Sequence, residues 1–310
     1  MKAVILDAAT LGDDVDLSPI REAVATWECH ANTSPTQVAA RVRDADIVLT
    51  NKVVLSAEVI RNAPRLQMIC VMATGVNNVD TQAAAERGIA VRNVEAYGTA
   101  SVAQHTLMLL LALANRLPLY QRDVAAGRWQ TSDQFCLMNH PTLQLAGKHL
   151  VIVGQGELGQ EVARLARNFN MDVSFAARPG STGDTRPSLP TLAPKADAIS
   201  LHCPLTDATR NLIDTALLAT VKPGCLLINC ARGGIVDDNA ALSALRSGRL
   251  GGLGVDVLPE EPPRRGHPLL SALEMPLNLI VTPHNAWISP ESRQTIVNKT
   301  ARNIIDFHQG

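Results

Sequence analysis

Residues 149–159 read His149-Leu150-Val151-Ile152-Val153-Gly154-Gln155-Gly156-Glu157-Leu158-Gly159. An apolar run typical of a buried strand leads directly into glycines with Gly-x-Gly-x-x-Gly spacing, and the residues that follow have the apolar periodicity of a helix. In this context the first glycine permits a tight turn, the second lets a phosphate approach the backbone, and the third lets helix and strand pack closely. The stretch therefore predicts a dinucleotide-binding turn, although a tight turn without a ligand could use the same glycines.

Short apolar runs continue on both sides of this turn. Before it they cover residues 4–6, 47–50, 68–72 and 89–91, and from it onward they cover 149–153, 173–176, 198–201, 226–229, 254–257 and 279–282. Helix-like stretches separate these runs, which is the alternation expected of parallel sheets. The sequence therefore predicts an α/β fold with two doubly wound parallel-sheet domains, a flavodoxin-like substrate domain and a Rossmann dinucleotide-binding domain, with a cleft between them.

Two predicted helices define the domain boundaries. Residues 99–115 are strongly apolar and long enough to carry the chain from one domain to the next. Residues 290–308 form one amphipathic helix without a strand partner, with Ile296, Ile304, Ile305 and Phe307 as buried candidates. This helix is expected to return to the first domain. The predicted domains are residues 1–98 plus 289–310, which bind substrate, and residues 99–288, which bind the dinucleotide.

The composition is that of a compact metabolic enzyme. Of 310 residues, 46% are hydrophobic and 18% charged, and the formal net charge is −1 without a cluster of lysine or arginine. This balance does not favour a nucleic-acid or membrane partner. The six cysteines lack Cys-x-x-Cys spacing, which argues against a metal site and a disulfide framework. With no secretory or membrane-spanning pattern, we expect a cytoplasmic protein with reduced thiols.

The expected cofactor is a nicotinamide dinucleotide bound by Gly154, Gly156, Glu157, Leu158 and Gly159, because the N-terminus of a helix attracts phosphates. An acid that selects NAD would end the next strand, but that strand ends in Ala176-Ala177-Arg178. Arg178 could instead pair with a 2′-phosphate, helped by Ser181, Thr182 or Arg186. The sequence therefore favours NADP(H) over NAD(H), with a solvated loop cation as the alternative for Arg178.

An arginine, a carboxylate and a histidine follow the last three predicted strands: Arg232, Glu261 and His284. The carboxyl ends of parallel strands form one ligand-binding edge, so these residues are expected to lie together. The arginine can bind the carboxylate of a 2-oxo acid, and the histidine can give a proton to its carbonyl oxygen. Singly, the three could be a loop ion pair, a turn residue and a helix cap. Together they predict hydride transfer between NAD(P)H and a small 2-oxo acid.

In these motifs the chain resembles the D-isomer-specific 2-hydroxyacid dehydrogenases, most of all their glycerate dehydrogenase and hydroxypyruvate/glyoxylate reductase branch. The resemblance rests on residues 101–105 (Ser-Val-Ala-Gln-His), 154–159, 202–206, 229–237, 256–262 and 282–284. It implies that Arg232 binds substrate, that Glu261 orients the histidine and that His284 is the acid/base. It also implies a homodimer formed through the cofactor domain.

The resemblance extends to further residues. It implies that Val102, Cys203, Cys230, Ala231 and Asp256 line the cofactor, and that backbone N–H groups of Thr74, Gly75 and Val76 hold the substrate carboxylate. Lys52, at another strand end, would add positive charge for the acid. Two departures are Gln104, where the family usually has glutamate, and Ala177, where it usually has the acid that selects NAD. His105 and His202 are expected to be packing or cofactor-edge residues.

Two alternatives stay open on sequence alone. One is a 3-phosphoglycerate dehydrogenase-like enzyme, which differs in substrate. The other is a dinucleotide-sensing, corepressor-like binding protein that keeps the fold without the reaction. Turnover of glyoxylate or hydroxypyruvate would separate the second alternative from an enzyme.

Overall fold

The computed structural model describes residues 1–309, which form two compact units. Unit 1 contains Met1–Gly98 and the segment from Ile288 onward, and unit 2 contains Thr99–Trp287. Ile288, which the sequence analysis placed in the second domain, therefore groups with the first. Each unit is built around a parallel sheet, so the prediction of two parallel-sheet α/β domains is confirmed.

The sheet of unit 1 has the strand order β2-β1-β3-β4-β5, with every neighbouring pair parallel. Its strands are β1 (Lys2–Ile5), β2 (Thr26–Cys29), β3 (Ile47–Thr50), β4 (Met68–Val71) and β5 (Ala90–Arg92). Its helices are α1 (Ser18–Glu22), α2 (Val38–Val42), α3 (Ala57–Arg61), α4 (Thr81–Glu86) and the last helix of the chain, α12 (Pro290–His308). β2 was not predicted from the sequence, because this edge strand is largely exposed and its residues have no apolar alternation.

The last helix, α12, packs on α1 within unit 1. It begins after Ser289, whose side chain accepts a hydrogen bond from the Ser292 N–H as an N-cap. Of the four residues expected to be buried, Ile296 and Ile304 are fully buried, whereas Ile305 and Phe307 are only half-buried.

The sheet of unit 2 has the strand order β11-β10-β9-β8-β6-β7, again entirely parallel. Its strands are β6 (His149–Val153), β7 (Asp172–Phe175), β8 (Ala198–Leu201), β9 (Cys225–Asn229), β10 (Leu250–Val255) and β11 (Leu279–Val281). Its helices are α5 (Thr99–Ala114), α6 (Leu117–Ala125), α7 (Glu157–Asn168), α8 (Leu189–Leu192), α9 (Thr215–Thr220), α10 (Asp238–Arg246) and α11 (Pro268–Ala272).

Separate apolar cores cover the two faces of this sheet, as expected of a doubly wound fold. α5 and α7 pack on one face, and α5 contacts both β9 and β10. The predicted strand at 254–257 is wrong in its bounds, since β10 runs from Leu250 to Val255. Gly251, Gly252 and Gly254 interrupt the apolar pattern there, which hid the first half of the strand.

The strand order reverses between β6 and β8, because the chain leaves β6 for β7 on one side and returns to β8 on the other. Ligands of doubly wound folds bind outside the carboxyl ends of the strands at such a switch point. The glycine turn follows β6, so the fold itself places that turn at the expected binding crevice of unit 2.

All six cysteines are free thiols. None of the helices between residues 1 and 309 combines the length and apolar character needed to cross a membrane.

Candidate active site

The glycine turn joins the carboxyl end of β6 to the start of α7. Gly154 has a φ of +108°, and a Cβ there would lie 2.3 Å from the His202 carbonyl oxygen. A Cβ at Gly159 would lie 2.0 Å from the carbonyl oxygen of Gly154. At Gly156, by contrast, a Cβ would meet no atom within 4 Å. The first and third glycines are thus required by packing, and the second leaves open space where a phosphate group can approach the helix N-terminus.

The strands beside this turn contribute buried residues. Cys203 follows β8, and Cys230 and Ala231 follow β9, so the predicted cofactor-lining residues lie at the same edge of the sheet. Burial raises the pKa of the Cys203 thiol to about 11 and that of Cys230 to about 12. Both side chains therefore stay protonated and act as small apolar groups. Val102, on the first turn of α5, is half-buried.

His202 lies at this edge as well. Its Nε2 and the Ser200 hydroxyl are 2.8 Å apart, while its Nδ1 is buried without a partner among residues 1–309. Burial lowers the pKa of His202 to about 4, so the ring is neutral at pH 7. A buried ring nitrogen beside the glycine turn is a polar atom that a bound dinucleotide could satisfy.

The loop after β7 contains an arrangement that the sequence analysis missed. Asp184 accepts a hydrogen bond from the Arg178 N–H at 2.7 Å and binds the Arg186 guanidinium side-on, at 2.9 and 2.5 Å. Arg186 also donates to the side chain of Gln155, in the glycine turn, at 2.7 Å. The hydrogen bond from Arg186 holds the pKa of Asp184 well below its usual range.

This arrangement changes the roles expected of the two arginines. Arg186 is already paired with a carboxylate, so it supplies little net charge for a phosphate. Arg178 is exposed, and only its backbone is tied to Asp184. No local pattern could have shown this ion pair, because the loop has no periodicity and Gln155 is distant in sequence.

The last three strands end in register, since Val255 pairs with Asn229 on one side and with Val281 on the other. Arg232 follows β9 in a turn held by Asn229, whose amide donates to the Arg232 carbonyl at 2.9 Å and accepts from the Ala231 N–H at 3.0 Å. Arg232 itself is exposed. Its turn therefore starts from a fixed strand end, and Nη1 of its guanidinium donates to the Ala231 carbonyl at 2.7 Å.

Glu261 and His284 form a close pair. His284 Nδ1 donates to Glu261 Oε2 at 2.5 Å, and Glu261 Oε1 accepts from the Leu258 N–H at 2.8 Å. Their side chains are 30% and 33% exposed, so the pair borders solvent and is not sealed in the core. The Nε2 atom of His284 has no partner among residues 1–309. A carboxylate on one ring nitrogen fixes the tautomer and leaves the other nitrogen for a substrate.

Gly233 connects the arginine turn to the glutamate loop. A Cβ at Gly233 would lie 2.1 Å from the Leu258 carbonyl carbon and 2.3 Å from its oxygen. Leu258 is the residue whose N–H holds Glu261. Backbone packing at Gly233 therefore links Arg232, through Leu258 and Glu261, to His284.

Asp256 is buried beside this group. Its Oδ1 accepts from the Asn285 N–H at 3.0 Å and from the Thr282 hydroxyl at 2.6 Å, and its Oδ2 accepts from the Ala286 N–H at 3.0 Å. The resemblance implied that Asp256 lines the cofactor. In the structure both carboxylate oxygens bind the chain segment around His284.

The predicted substrate-binding residues lie in unit 1, where two loops follow the neighbouring strands β3 and β4. Thr74, Gly75 and Val76 follow β4, and within residues 1–309 none of their backbone N–H groups donates a hydrogen bond. Lys52 is exposed in the loop after β3. Asp7, which the sequence analysis did not single out, is 4% exposed and accepts from the N–H groups of Asn51, Lys52 and Val53.

No cluster of three or more histidine, cysteine or acidic side chains suited to a metal occurs in the described part of the chain, residues 1–309. At one edge of its sheet, unit 2 combines a switch-point glycine turn, an arginine, and a histidine held by a carboxylate. These features are those of a dinucleotide-dependent oxidoreductase.

Comparison with known proteins identifies the family. Residues 107–286 match the family described as D-isomer specific 2-hydroxyacid dehydrogenase, NAD binding domain. A glycerate dehydrogenase of Methylorubrum extorquens is 38% identical over 291 residues, which cover 94% of this chain and 89% of the relative. A hydroxypyruvate reductase of Blautia hydrogenotrophica is 34% identical over 319 residues, covering 100% of this chain and 98% of the relative. The chain belongs to the D-isomer specific 2-hydroxyacid dehydrogenase family.

A crystal structure of a Thermus thermophilus protein is similar throughout, with a TM-score of 0.85 and 33% identity. The match covers 100% of this chain and 97% of that protein. The resemblance inferred from the sequence motifs is therefore confirmed at the level of family and fold.

Proposed function

We propose that this chain reduces glyoxylate to glycolate and hydroxypyruvate to D-glycerate with NAD(P)H, and that Arg232, Glu261 and His284 are its catalytic residues. The observation that carries the proposal is the 2.5 Å hydrogen bond between Glu261 and His284, at the same carboxyl edge of the sheet as the glycine turn. A bound reduced nicotinamide supplies a hydride. His284 donates the Nε2 proton to the carbonyl oxygen of the acid as that oxygen gains negative charge, and a neutral imidazole results.

The other residues of unit 2 support this step. Glu261 keeps the imidazole in one tautomer and stabilises its protonated form. Arg232 can pair with the substrate carboxylate through two parallel hydrogen bonds. Gly154, Gly156, Glu157, Leu158 and Gly159 would hold the phosphates, and Val102, Cys203, Cys230, Ala231 and Asp256 would border the cofactor.

In unit 1, we assign residues 74–76 to the substrate carboxylate. Three consecutive N–H groups without acceptors are a suitable site for an anion. Lys52 would add positive charge nearby. Small acids are favoured because the two relatives described above are named for glycerate and hydroxypyruvate, the reduced and oxidised forms of one three-carbon acid.

The proposed cofactor preference is NADP(H). The strand β7 is followed by Ala176 and Ala177, which carry no charge to repel a phosphate, and Arg178 is exposed next to them. Asp184 is neutralised by its ion pair with Arg186. A 2′-phosphate would thus meet one available guanidinium and no unpaired carboxylate.

We also propose a homodimer. Met108, Leu117, Val124, Trp129, Phe135 and Met138 are exposed between 41% and 91%, and all lie on α5, α6 or the segment that follows. Apolar side chains grouped in this way are typical of a subunit contact. Light scattering should give twice the 33.1 kDa of one chain. A cytoplasmic location stays a prediction.

The test is a set of steady-state rates for the purified full chain with glyoxylate, hydroxypyruvate, pyruvate and 3-phosphohydroxypyruvate, each with NADH and NADPH. We expect kcat/KM for glyoxylate or hydroxypyruvate to exceed that of the other acids by at least about ten-fold, as a few pocket contacts can achieve. A preference for the phosphorylated acid would overturn the substrate assignment. Dinucleotide binding without turnover of any acid would overturn the enzymatic proposal and favour a binding protein.

A further inference from the structure

The first helix of unit 2 contacts the turn that carries His284 at two points. Ser101 Oγ donates to the Ala286 carbonyl at 2.7 Å, and His105 Nε2 lies 3.0 Å from Thr282 Oγ1. Ser101 and His105 are four residues apart on α5, so they project from the same face of the helix. Thr282 precedes His284 by two residues and Ala286 follows it by two. The helix therefore contacts both ends of this turn.

Asp256 binds the same turn from inside. Its carboxylate accepts from the N–H groups of Asn285 and Ala286 and from the hydroxyl of Thr282. A hydroxyl has one proton, and Thr282 donates it to the carboxylate, so the Thr282 oxygen accepts from His105. His105 Nε2–H is thus the first donor in a series of hydrogen bonds that continues through the Thr282 hydroxyl to the Asp256 carboxylate. Burial lowers the pKa of His105, against the opposing effect of Asp256, which agrees with a neutral ring at pH 7.

The backbone of His284 needs this support. Its φ is +53°, in the left-handed region that residues other than glycine rarely adopt. Such a conformation is strained for a residue with a Cβ and persists only where the surrounding structure holds it. The hydrogen bonds of Ser101 and Asp256 to the residues just after His284 supply that restraint, together with a 3.1 Å bond from Trp287 Nε1 to the His284 carbonyl.

We propose that Ser101 and His105 are positioning residues of the reaction. They hold the turn 282–286 so that His284 keeps its left-handed backbone and its ring stays on Glu261. This proposal gives a role to two further residues of the stretch 101–105 (Ser-Val-Ala-Gln-His). In the proposed function, only Val102 of this stretch has a role. The inference rests on the proposed function, because it acts through His284 as the acid.

The variants are chosen to remove one hydrogen bond at a time. His105→Phe keeps a ring of similar size and removes the donor, His105→Gln keeps an N–H group, and Ser101→Ala removes the other contact. We expect kcat to fall on the order of ten-fold for His105→Phe and for Ser101→Ala, since small displacements of a catalytic group are costly. His105→Gln should recover most of the lost rate, and the cofactor Kd should change by less than about two-fold in every variant.

The matched control is His149→Phe. His149 Nε2 also bonds a hydroxyl, that of Ser174 at 2.9 Å, but at the amino end of β6. This variant loses an equivalent hydrogen bond in the same unit at the opposite edge of the sheet. It should leave kcat unchanged.

Two readouts separate positioning from general destabilisation. In a His284→Ala background, His105→Phe should cause no further loss, because the group it positions is absent. Amide hydrogen exchange at Asn285 and Ala286 should speed up on the order of ten-fold in His105→Phe and Ser101→Ala and stay unchanged in His149→Phe.

An equal loss of rate with and without His284, or unchanged exchange at both amides, would overturn the inference. If the parent chain reduces no acid, the proposed function fails, and the exchange experiment still decides whether the helix holds the turn.

Discussion

Two segments at the carboxyl edge of the unit 2 sheet differ sharply in how they are held. The turn after β11, which carries His284, is tied to buried Asp256, to α5 and to Glu261. The loop after β7, which carries Arg178, is exposed and depends mainly on Asp184. The turn is built to keep one side chain in one place, which proton transfer requires. The loop needs only to present charge, which tolerates movement.

The largest expected effect concerns Arg232, which we propose binds the substrate carboxylate. Arg232→Ala should lower kcat/KM for glyoxylate by roughly 10³-fold, mostly through KM, because a two-point contact with the carboxylate is lost. The kcat/KM of Arg232→Lys should lie between those of the parent and the alanine variant, since lysine keeps the positive charge but cannot form two parallel hydrogen bonds. A loss confined to kcat would contradict the carboxylate-binding role.

Backbone packing offers a second contrast, between the arginine turn after β9 and the loop after β7. Gly233→Ala would force a Cβ to 2.1 Å from the Leu258 carbonyl carbon, whereas a Cβ at Gly183, in the loop after β7, meets nothing within 4 Å. We expect Gly233→Ala to lower the free energy of unfolding by about 3 kcal/mol and Gly183→Ala to change it by less than about 0.5 kcal/mol. Urea unfolding measures both, and equal effects would show that the arginine turn is not packed as described.

Cofactor preference tests the role proposed for the loop after β7, the recognition of a 2′-phosphate. Arg178→Ala should lower the NADPH-to-NADH ratio of kcat/KM by about ten-fold, the value of one charged contact with a phosphate. Asp184→Asn, which frees Arg186 from its ion pair, should raise that ratio. If neither variant moves the ratio, the 2′-phosphate is not recognised by this loop.

The features of unit 2 also differ in how well the sequence predicts them. The glycine turn, most of the strands and the positions of Arg232, Glu261 and His284 after strand ends follow from local apolar patterns and the geometry of parallel sheets, whereas the exposed strand β2 and the glycine-rich first half of β10 do not. The ion pair between Asp184 and Arg186, the contact with Gln155, and the contacts of Ser101 and His105 join residues far apart in sequence or lie in loops. No periodicity marks such side-chain pairs, so only the three-dimensional structure shows them.

The smallest expected effect concerns His202, which follows β8 at the same edge. Its pKa is about 4 in the folded chain and 6.5 as the ordinary value, so the unfolded chain binds the proton more readily between these pH values. The free energy of unfolding should therefore fall as pH is lowered from 7 to 5.5, and His202→Asn should remove about 1 kcal/mol of that fall. His308→Asn, at an exposed histidine, is the control and should leave the pH dependence unchanged. Identical pH profiles for the parent and His202→Asn would contradict the burial of a neutral ring.

We propose that His284, held by Glu261, supplies the proton. The most direct measurement is kcat of His284→Ala with glyoxylate or hydroxypyruvate, taken together with the Kd of the reduced cofactor from its fluorescence. We expect kcat to fall by roughly 10²- to 10⁴-fold, with the Kd changed by less than about two-fold. Turnover equal to that of the parent would contradict it.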